Sequence, residues 1–152
     1  MANPDCAADP MVLISRAIDL LAAGEPEAAE PLLEAADPSQ PDAAAALAAL
    51  RLHQRRPAAA LAALDRAIAA EPDWPLHHWN AAVAHHQLGD RLACHQALGR
   101  FVHASERPSG LAGDPAQPAR LIRAAELMSE LERTARLSGT PLSARRPKRQ
   151  RR

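Results

Sequence analysis

The chain has 152 residues, of which 47% are hydrophobic and 24% are charged, and its formal net charge at pH 7 is zero. This length suits one domain with a modest core, and the apolar fraction excludes a wholly disordered protein. One Phe, two Trp and no Tyr are too few aromatic residues to furnish a sheet core, so the composition predicts an almost wholly helical fold.

The N-terminus and the cysteines do not indicate an exported, membrane-spanning or disulfide-bonded protein. The opening MANPDCAADP lacks the basic and apolar regions of a signal peptide, and no run approaches the roughly 20 apolar residues of a transmembrane helix. Cys6 and Cys94 lie far apart and form no CxxC pair, so no disulfide framework or thiolate metal site is indicated. We therefore expect a cytoplasmic protein without a transmembrane segment, whose residues 1–9 are flexible.

Prolines divide the following part of the chain at regular intervals. A helix tolerates Pro in its first turn but not in its interior, because the ring removes a backbone donor. Pro10, Pro41 and Pro75 each open an apolar helical stretch, at intervals of 31 and 34 residues, and Pro26 and Pro57 open a second stretch in the first two units. The pattern predicts three units of two helices, at about 10–40, 41–74 and 75–108.

The second helices of the three units share one apolar pattern. A small residue is followed four positions later by Leu and three positions after that by another apolar residue, in the sets Ala29, Leu33, Ala36; Ala60, Leu64, Ala67; and Cys94, Leu98, Phe101. This spacing indicates one buried helical stripe. A period near 34 residues with two helices per unit predicts a helical solenoid, in which each unit buries its apolar face by stacking on its neighbours.

The third unit resembles the tetratricopeptide repeat family. The matching residues are Asn80, Ala81, Ala82, Leu88, Gly89 and Asp90 in and after its first helix, and Cys94, Leu98 and Phe101 in its second. The second unit matches through Leu47, Ala48, Ala60, Leu64, Ala67 and the closing Pro72, but has Gln54, Arg55 and Arg56 where the family usually has a glycine turn. The resemblance covers about residues 10–108 and implies an all-α, right-handed superhelix of three helix pairs.

After a Pro/Gly-rich linker at 109–117, a further helix is predicted over residues 118–137. Its apolar stripe comprises Leu121, Ala125, Met128, Leu131 and Ala135, and its other face is charged. A solenoid needs a terminal cap with a polar outer face. We expect this helix to cap the solenoid, although groove filling and dimerisation remain alternatives.

Residues 138–152 form a basic tail that is too charged to fold alone. All 18 acidic residues and 12 of the 18 basic ones lie in residues 1–143, which gives that part a net charge of −6. The other basic residues are Arg145, Arg146, Lys148, Arg149, Arg151 and Arg152. The tail could bind nucleic acid or an anionic surface through nonspecific charge, contact an acidic surface, or keep the protein soluble.

Four of the seven histidines lie close together at His77, His78, His85 and His86. Two helical histidines that share a metal usually sit four residues apart, and none of these pairs does. His78 and His85 share a face but lie about 10 Å apart along the axis, too far to bind one zinc ion. In the family, these two positions usually hold aromatic rings, so we expect His78 and His85 to pack as such rings, each with a hydrogen-bonded nitrogen.

Catalytic motifs are lacking in the sequence. Cys94 occupies a small-residue core position, and neighbouring His95 points about 100° away from it on a helix, so the two cannot act as nucleophile and base. No carboxylate or Cys is placed to make His95 complete a metal site, and there is no phosphate loop, GxSxG or HExxH. We therefore expect no enzymatic activity, metal or cofactor.

The resemblance also implies a binding groove lined by the first helices of successive units. The positions carried over are Ile14, Ile18, Leu21, Ala45, Ala49, Leu52, His53, Trp79, Val83, His86 and Gln87. This lining is apolar, with Trp79 as its one large ring and expected hot spot. It lacks the Lys, Arg and Asn set with which some family members grip a C-terminal carboxylate. An extended segment or an amphipathic helix of another protein is the expected ligand.

The function expected from this groove is that of a noncatalytic adaptor or scaffold that binds a partner protein. Two alternatives stay open. Small proteins with three such repeats are similar to secretion chaperones that hold apolar client segments, and the basic tail suits a nucleic-acid accessory protein.

Overall fold

A computed structural model describes residues 9–37, 39–107 and 113–142. These residues form seven helices and no strand, which confirms the all-α prediction. The helices are α1 (Pro10–Ala22), α2 (Pro26–Ala35), α3 (Pro41–His53), α4 (Pro57–Ala70), α5 (Pro75–Leu88), α6 (Arg91–Ser105) and α7 (Gln117–Ser138). The predictions for residues 1–8 and for the tail from residue 143 onward lie outside the described residues.

The helix starts follow from local chemistry. Each of α1 to α5 begins at a proline, whose fixed φ suits the first helical turn and whose missing donor costs nothing there. The Asp9 carboxylate accepts the Met11 N–H before α1, and the Asp90 carboxylate accepts the Ala93 N–H before α6. These two caps satisfy backbone donors that have no partner within the helix.

One turn recurs after the first helix of every unit. Gly24, Arg55 and Gly89 adopt left-handed backbone conformations, with φ of 80°, 57° and 75°. In each case the next residue donates its N–H to the carbonyl five positions earlier, as in the Arg56 to Arg51 bond of 2.8 Å. Glycine adopts this conformation freely, but a residue with a Cβ pays roughly 1–2 kcal/mol, so Arg55 keeps the turn at a cost.

The helices form an inner and an outer layer. Each helix packs against the next in the chain, and contacts also join α1 to α3 and α3 to α5. Within the described residues, the second helices of the units, α2, α4 and α6, do not contact one another. The first helices of the units therefore lie closer together than the second helices, which places α1, α3 and α5 on the inner side of the solenoid.

The buried residues fall into two core clusters. The first core cluster joins α1, α2 and α3 and includes Ile14, Leu33 and Leu50. The second core cluster joins α3 to α6 with α7 and includes Leu64 and Phe101. Leu47 packs against both clusters, so α3 is the element through which the first helix pair is attached to the rest of the protein.

A polar contact reinforces that attachment at the surface. The Arg51 guanidinium of α3 donates to the Glu30 carboxylate of α2, and Gln54 donates to the other oxygen of that carboxylate at 3.0 Å. Arg51 also donates to the Gln54 side-chain carbonyl at 2.7 Å. The hydrogen bond from Arg51, followed by that from Gln54, holds the pKa of Glu30 below its ordinary value of 4.5.

We expect Glu30→Gln to weaken the acid dependence of the first helix pair. Because the folded pKa is depressed, the stabilisation by ionised Glu30 is present above the ordinary pKa of 4.5 and is lost as pH falls through the folded value. The variant should therefore lower the melting temperature at neutral pH and leave it less sensitive to acid. Thermal unfolding followed by circular dichroism, from neutral pH to below pH 4.5, measures the melting temperature and its dependence on acid. The control is Glu34→Gln, at an exposed glutamate of the same helix. Equal acid sensitivity in the native chain and in Glu30→Gln contradicts the prediction.

The last helix packs on one side of the solenoid only. Among the helix pairs of the described residues, α7 contacts α6 and none of the inner-layer helices α1, α3 and α5. Ala124 and Leu131 of α7 enter the second core cluster. We predicted the tail from residue 138; Ser138 closes α7, and Leu142 packs against the second core cluster. No helix in the described part of the chain is long and apolar enough to cross a bilayer.

Candidate functional site

A recess of about 350 Å³ opens between α3 and α5 on the inner layer. Six residues line it: Ala49, Leu52, His53, Arg55, Asn80 and Gln87. Four of the six residues belong to the predicted groove. The structure thus brings Ala49, Leu52 and His53 of the second unit next to Gln87 of the third. The two helices are held together here by the Gln87 amide, which donates to the Leu52 carbonyl at 3.4 Å.

Three of the predicted groove residues are core residues. Leu52 is 9% exposed and belongs to the second core cluster, although it also lines the recess. The other two lie on α1. Ile14 is 2% exposed and Leu21 is 7% exposed, and both pack in the first core cluster. The spacing of Ile14, Ala17 and Leu21 places them on the stripe of α1 that faces α2 and α3. The prediction that Ile14 and Leu21 form groove surface is therefore wrong. Of the three residues predicted on α1, Ile18 is exposed, at 50%.

The predicted residues of α5 divide between core and surface. Trp79 and Val83 are half-buried and pack against the second core cluster, while His86 is exposed. The Trp79 ring lies 5.3 Å from the Phe101 ring at 55°, a tilted arrangement favourable for aromatic pairs. One part of the Trp79 side chain therefore packs in the second core cluster, and the other part is exposed at the surface of α5. On α3, Ala45 is also half-buried and His53 is exposed.

The recess is more polar than we predicted. His53, Arg55, Asn80 and Gln87 supply four polar side chains, which corrects the prediction of an apolar lining at this point. Arg55 and Asn80 were absent from the predicted set. Arg55 could have been found from its place in the turn, since it occupies the position of Gly24 and Gly89. Asn80 could have been found because it lies seven residues before Gln87, two turns along the same helix face.

Two histidines of α5, His78 and His85, face α4 and α6 and do not line the recess. His78 is buried, and its Nε2–H donates to the Pro72 carbonyl at 2.6 Å, which confirms the expected structural role. The His85 Nδ1 is buried and has no hydrogen-bond partner in the described residues, so the hydrogen bond expected for one His85 nitrogen stays a prediction. His78 and His85 line a second cavity, of about 420 Å³, between α4, α5 and α6. His77, whose burial we did not predict, donates from Nε2 to Glu71 at 3.1 Å.

The surroundings of His95 also differ from the prediction. Its Nε2 lies 3.0 Å from the Glu132 carboxylate of α7, so a carboxylate does stand beside this histidine. The partner was missed because it follows 37 residues later on another helix. Within the described ranges, no group of three His, Cys, Asp or Glu side chains is arranged to hold a metal ion.

Cys94 is enclosed in the second core cluster and has no exposed surface. Burial, with a smaller contribution from the Asp90 charge, raises the pKa of the Cys94 thiol. A raised pKa disfavours the thiolate, which is the nucleophilic form of cysteine. The side chain therefore acts as a small packing residue in α6.

Comparison with known proteins gives one match. The model of the tetratricopeptide repeat family matches residues 20–85, which run from the end of α1 into α5. The matched range includes every residue of the recess except Gln87. No curated protein and no solved structure matches the chain. Repeats of this family generally mediate protein–protein interaction and typically serve as noncatalytic scaffolds. The recurring helix pairs and this match support the assignment of residues 20–85 to the tetratricopeptide repeat family.

Proposed function

We propose that the protein is a noncatalytic adaptor that binds a segment of a partner protein along the inner layer. The observation that carries this proposal is the open recess between α3 and α5, which concentrates hydrogen-bonding groups on a layer that no described helix covers. The half-exposed surfaces of Trp79 and Val83 and the exposed Ile18 add apolar contact area. Such a combination of apolar area with a few fixed polar groups is typical of specific recognition.

The polar recess favours recognition of a defined segment over the holding of diverse apolar clients. A chaperone for many apolar segments needs an adaptable apolar surface. Here Arg55, Asn80 and Gln87 are fixed on or beside packed helices and would lose their water without compensation if covered by a purely apolar chain. A nucleic-acid function through the basic tail rests on the sequence alone, and we leave it as the alternative.

Site-specific photocrosslinking tests the adaptor proposal. A photoreactive amino acid is placed at Ile18 or His86, two exposed inner-layer positions, and at Ala62, an exposed position of α4 in the outer layer. We expect one partner protein to be crosslinked from Ile18 and His86 but not from Ala62, and the crosslinked peptide to map to one segment of that partner. Crosslinking of equal yield from all three positions, or from Ala62 alone, contradicts binding on the inner layer.

A further inference from the structure

Arg55 is a charged residue held where glycine would be relaxed. The equivalent positions in the other two units are Gly24 and Gly89, and a Cβ built on either would have no atom within 4 Å. Glycine is therefore used in these turns for its backbone conformation and not for space. Strained residues that persist in a fold point to a function for the side chain, and the Arg55 side chain lines the recess.

The electrostatics of the recess are one-sided. Its lining contains the Arg55 guanidinium and the His53 imidazole, and none of its six residues is acidic. The nearby Arg51 guanidinium is already paired with Glu30 at the α2–α3 junction, so its charge is not available to a ligand in the recess. The recess thus offers a cation, the Arg55 guanidinium, without a carboxylate of its own to match it.

A second group in the recess lacks a partner. The Gln87 side-chain oxygen is buried and accepts no hydrogen bond in the described residues, while its nitrogen is used by the Leu52 carbonyl. A buried acceptor without a donor costs free energy. Because this oxygen has almost no accessible surface, a ligand N–H would recover that free energy once the Gln87 side chain rotates toward the recess. This observation is independent of the charge of Arg55 and points to a ligand that carries a hydrogen-bond donor next to its anionic group.

We propose that the recess binds an Asp or Glu residue within an extended segment of the partner. The side-chain carboxylate pairs with Arg55, and a main-chain N–H of the same segment donates to the Gln87 oxygen. The segment is extended because the main-chain N–H groups of a helix are already bonded within the helix. The bound segment continues past the recess toward α1, where the exposed Ile18 offers a further apolar contact. This inference rests on the adaptor function proposed above and adds the chemistry of the partner.

A random peptide library tests the proposal. The library is selected on the intact chain, on Arg55→Gly and on Arg56→Ala, the last being a matched control at the adjacent exposed arginine, which does not line the recess. We expect Asp or Glu to be enriched at one peptide position on the intact chain and on Arg56→Ala, and this enrichment to disappear on Arg55→Gly. Selection on Arg55→Glu should enrich Lys or Arg at that position instead.

Stability separates recognition from folding in this experiment. Glycine relieves the strained turn, so the melting temperature of Arg55→Gly should not fall, while its affinity for a selected acidic peptide should fall about tenfold, as expected for a lost hydrogen bond between charged groups. A lower melting temperature together with unchanged affinity would show that Arg55 serves the turn alone, which overturns the proposal.

Synthetic peptides identify the source of the carboxylate and separate the two proposals. One selected peptide is made with an amidated C-terminus, with its acidic residue changed to the amide, and with a free C-terminus. Binding that needs the free C-terminus and not the acidic side chain overturns the proposal of an internal Asp or Glu. If selected peptides crosslink from His86 but show no acidic preference, this inference alone fails. If none crosslinks from Ile18 or His86, the adaptor proposal fails with it.

Discussion

Phe101→Ala is expected to lower the melting temperature of the protein by roughly 10 °C or more. Phe101 is the largest of the fully buried side chains, and its ring is the one on which Trp79 packs. Truncation removes apolar burial and leaves a cavity, which for a buried aromatic residue costs about 3–5 kcal/mol. Against the 5–15 kcal/mol that typically stabilises a domain, this is a large fraction.

The effect of Phe101→Ala should also appear in the fluorescence of the protein. Loss of the ring exposes one face of Trp79, so its emission should shift to longer wavelength before any unfolding. Leu137→Ala is the matched control, because this leucine is 80% exposed and its truncation should change stability by less than about 0.5 kcal/mol. Equal melting temperatures for the two variants would contradict the contribution of Phe101 to the second core cluster.

The helical pattern was predictable from the sequence because its causes are local. Proline at the first helical position and apolar residues at helical spacing act within one or two turns. The helix starts at Pro10, Pro26, Pro41, Pro57 and Pro75 are confirmed for this reason. The sequence also indicated that Cys94 and Phe101 occupy one buried stripe, and both are fully buried.

The details of the candidate site were less predictable because they depend on tertiary contacts. The burial of Ile14 and Leu21 is set by how α1 is rotated against α2 and α3, which a family position does not specify. The contact between His95 and Glu132 depends on where α7 lies after the linker. Arg55 reaches the recess only because it adopts the left-handed turn that the neighbouring units form with glycine.

Leu50→Ala should destabilise the first helix pair selectively. Leu50 has no exposed surface and belongs to the first core cluster, so its truncation should cost about 2–5 kcal/mol. In a repeat protein, stability is close to a sum of unit terms and nearest-neighbour interfaces. The lost free energy should therefore fall on the interface that α3 makes with α1 and α2.

Hydrogen exchange measured by mass spectrometry distinguishes local from global loss. Amides of α1 and α2 should exchange faster in Leu50→Ala, whereas those of α5 and α6 should keep their protection. Leu64→Ala is the matched variant, since Leu64 is also a leucine without exposed surface but belongs to the second core cluster. It should speed exchange in α4 to α6. Uniform acceleration along the chain in both variants would mean that Leu47 and the Arg51–Glu30 contact couple the two clusters into one cooperative unit, because the first helix pair could not then open without the rest.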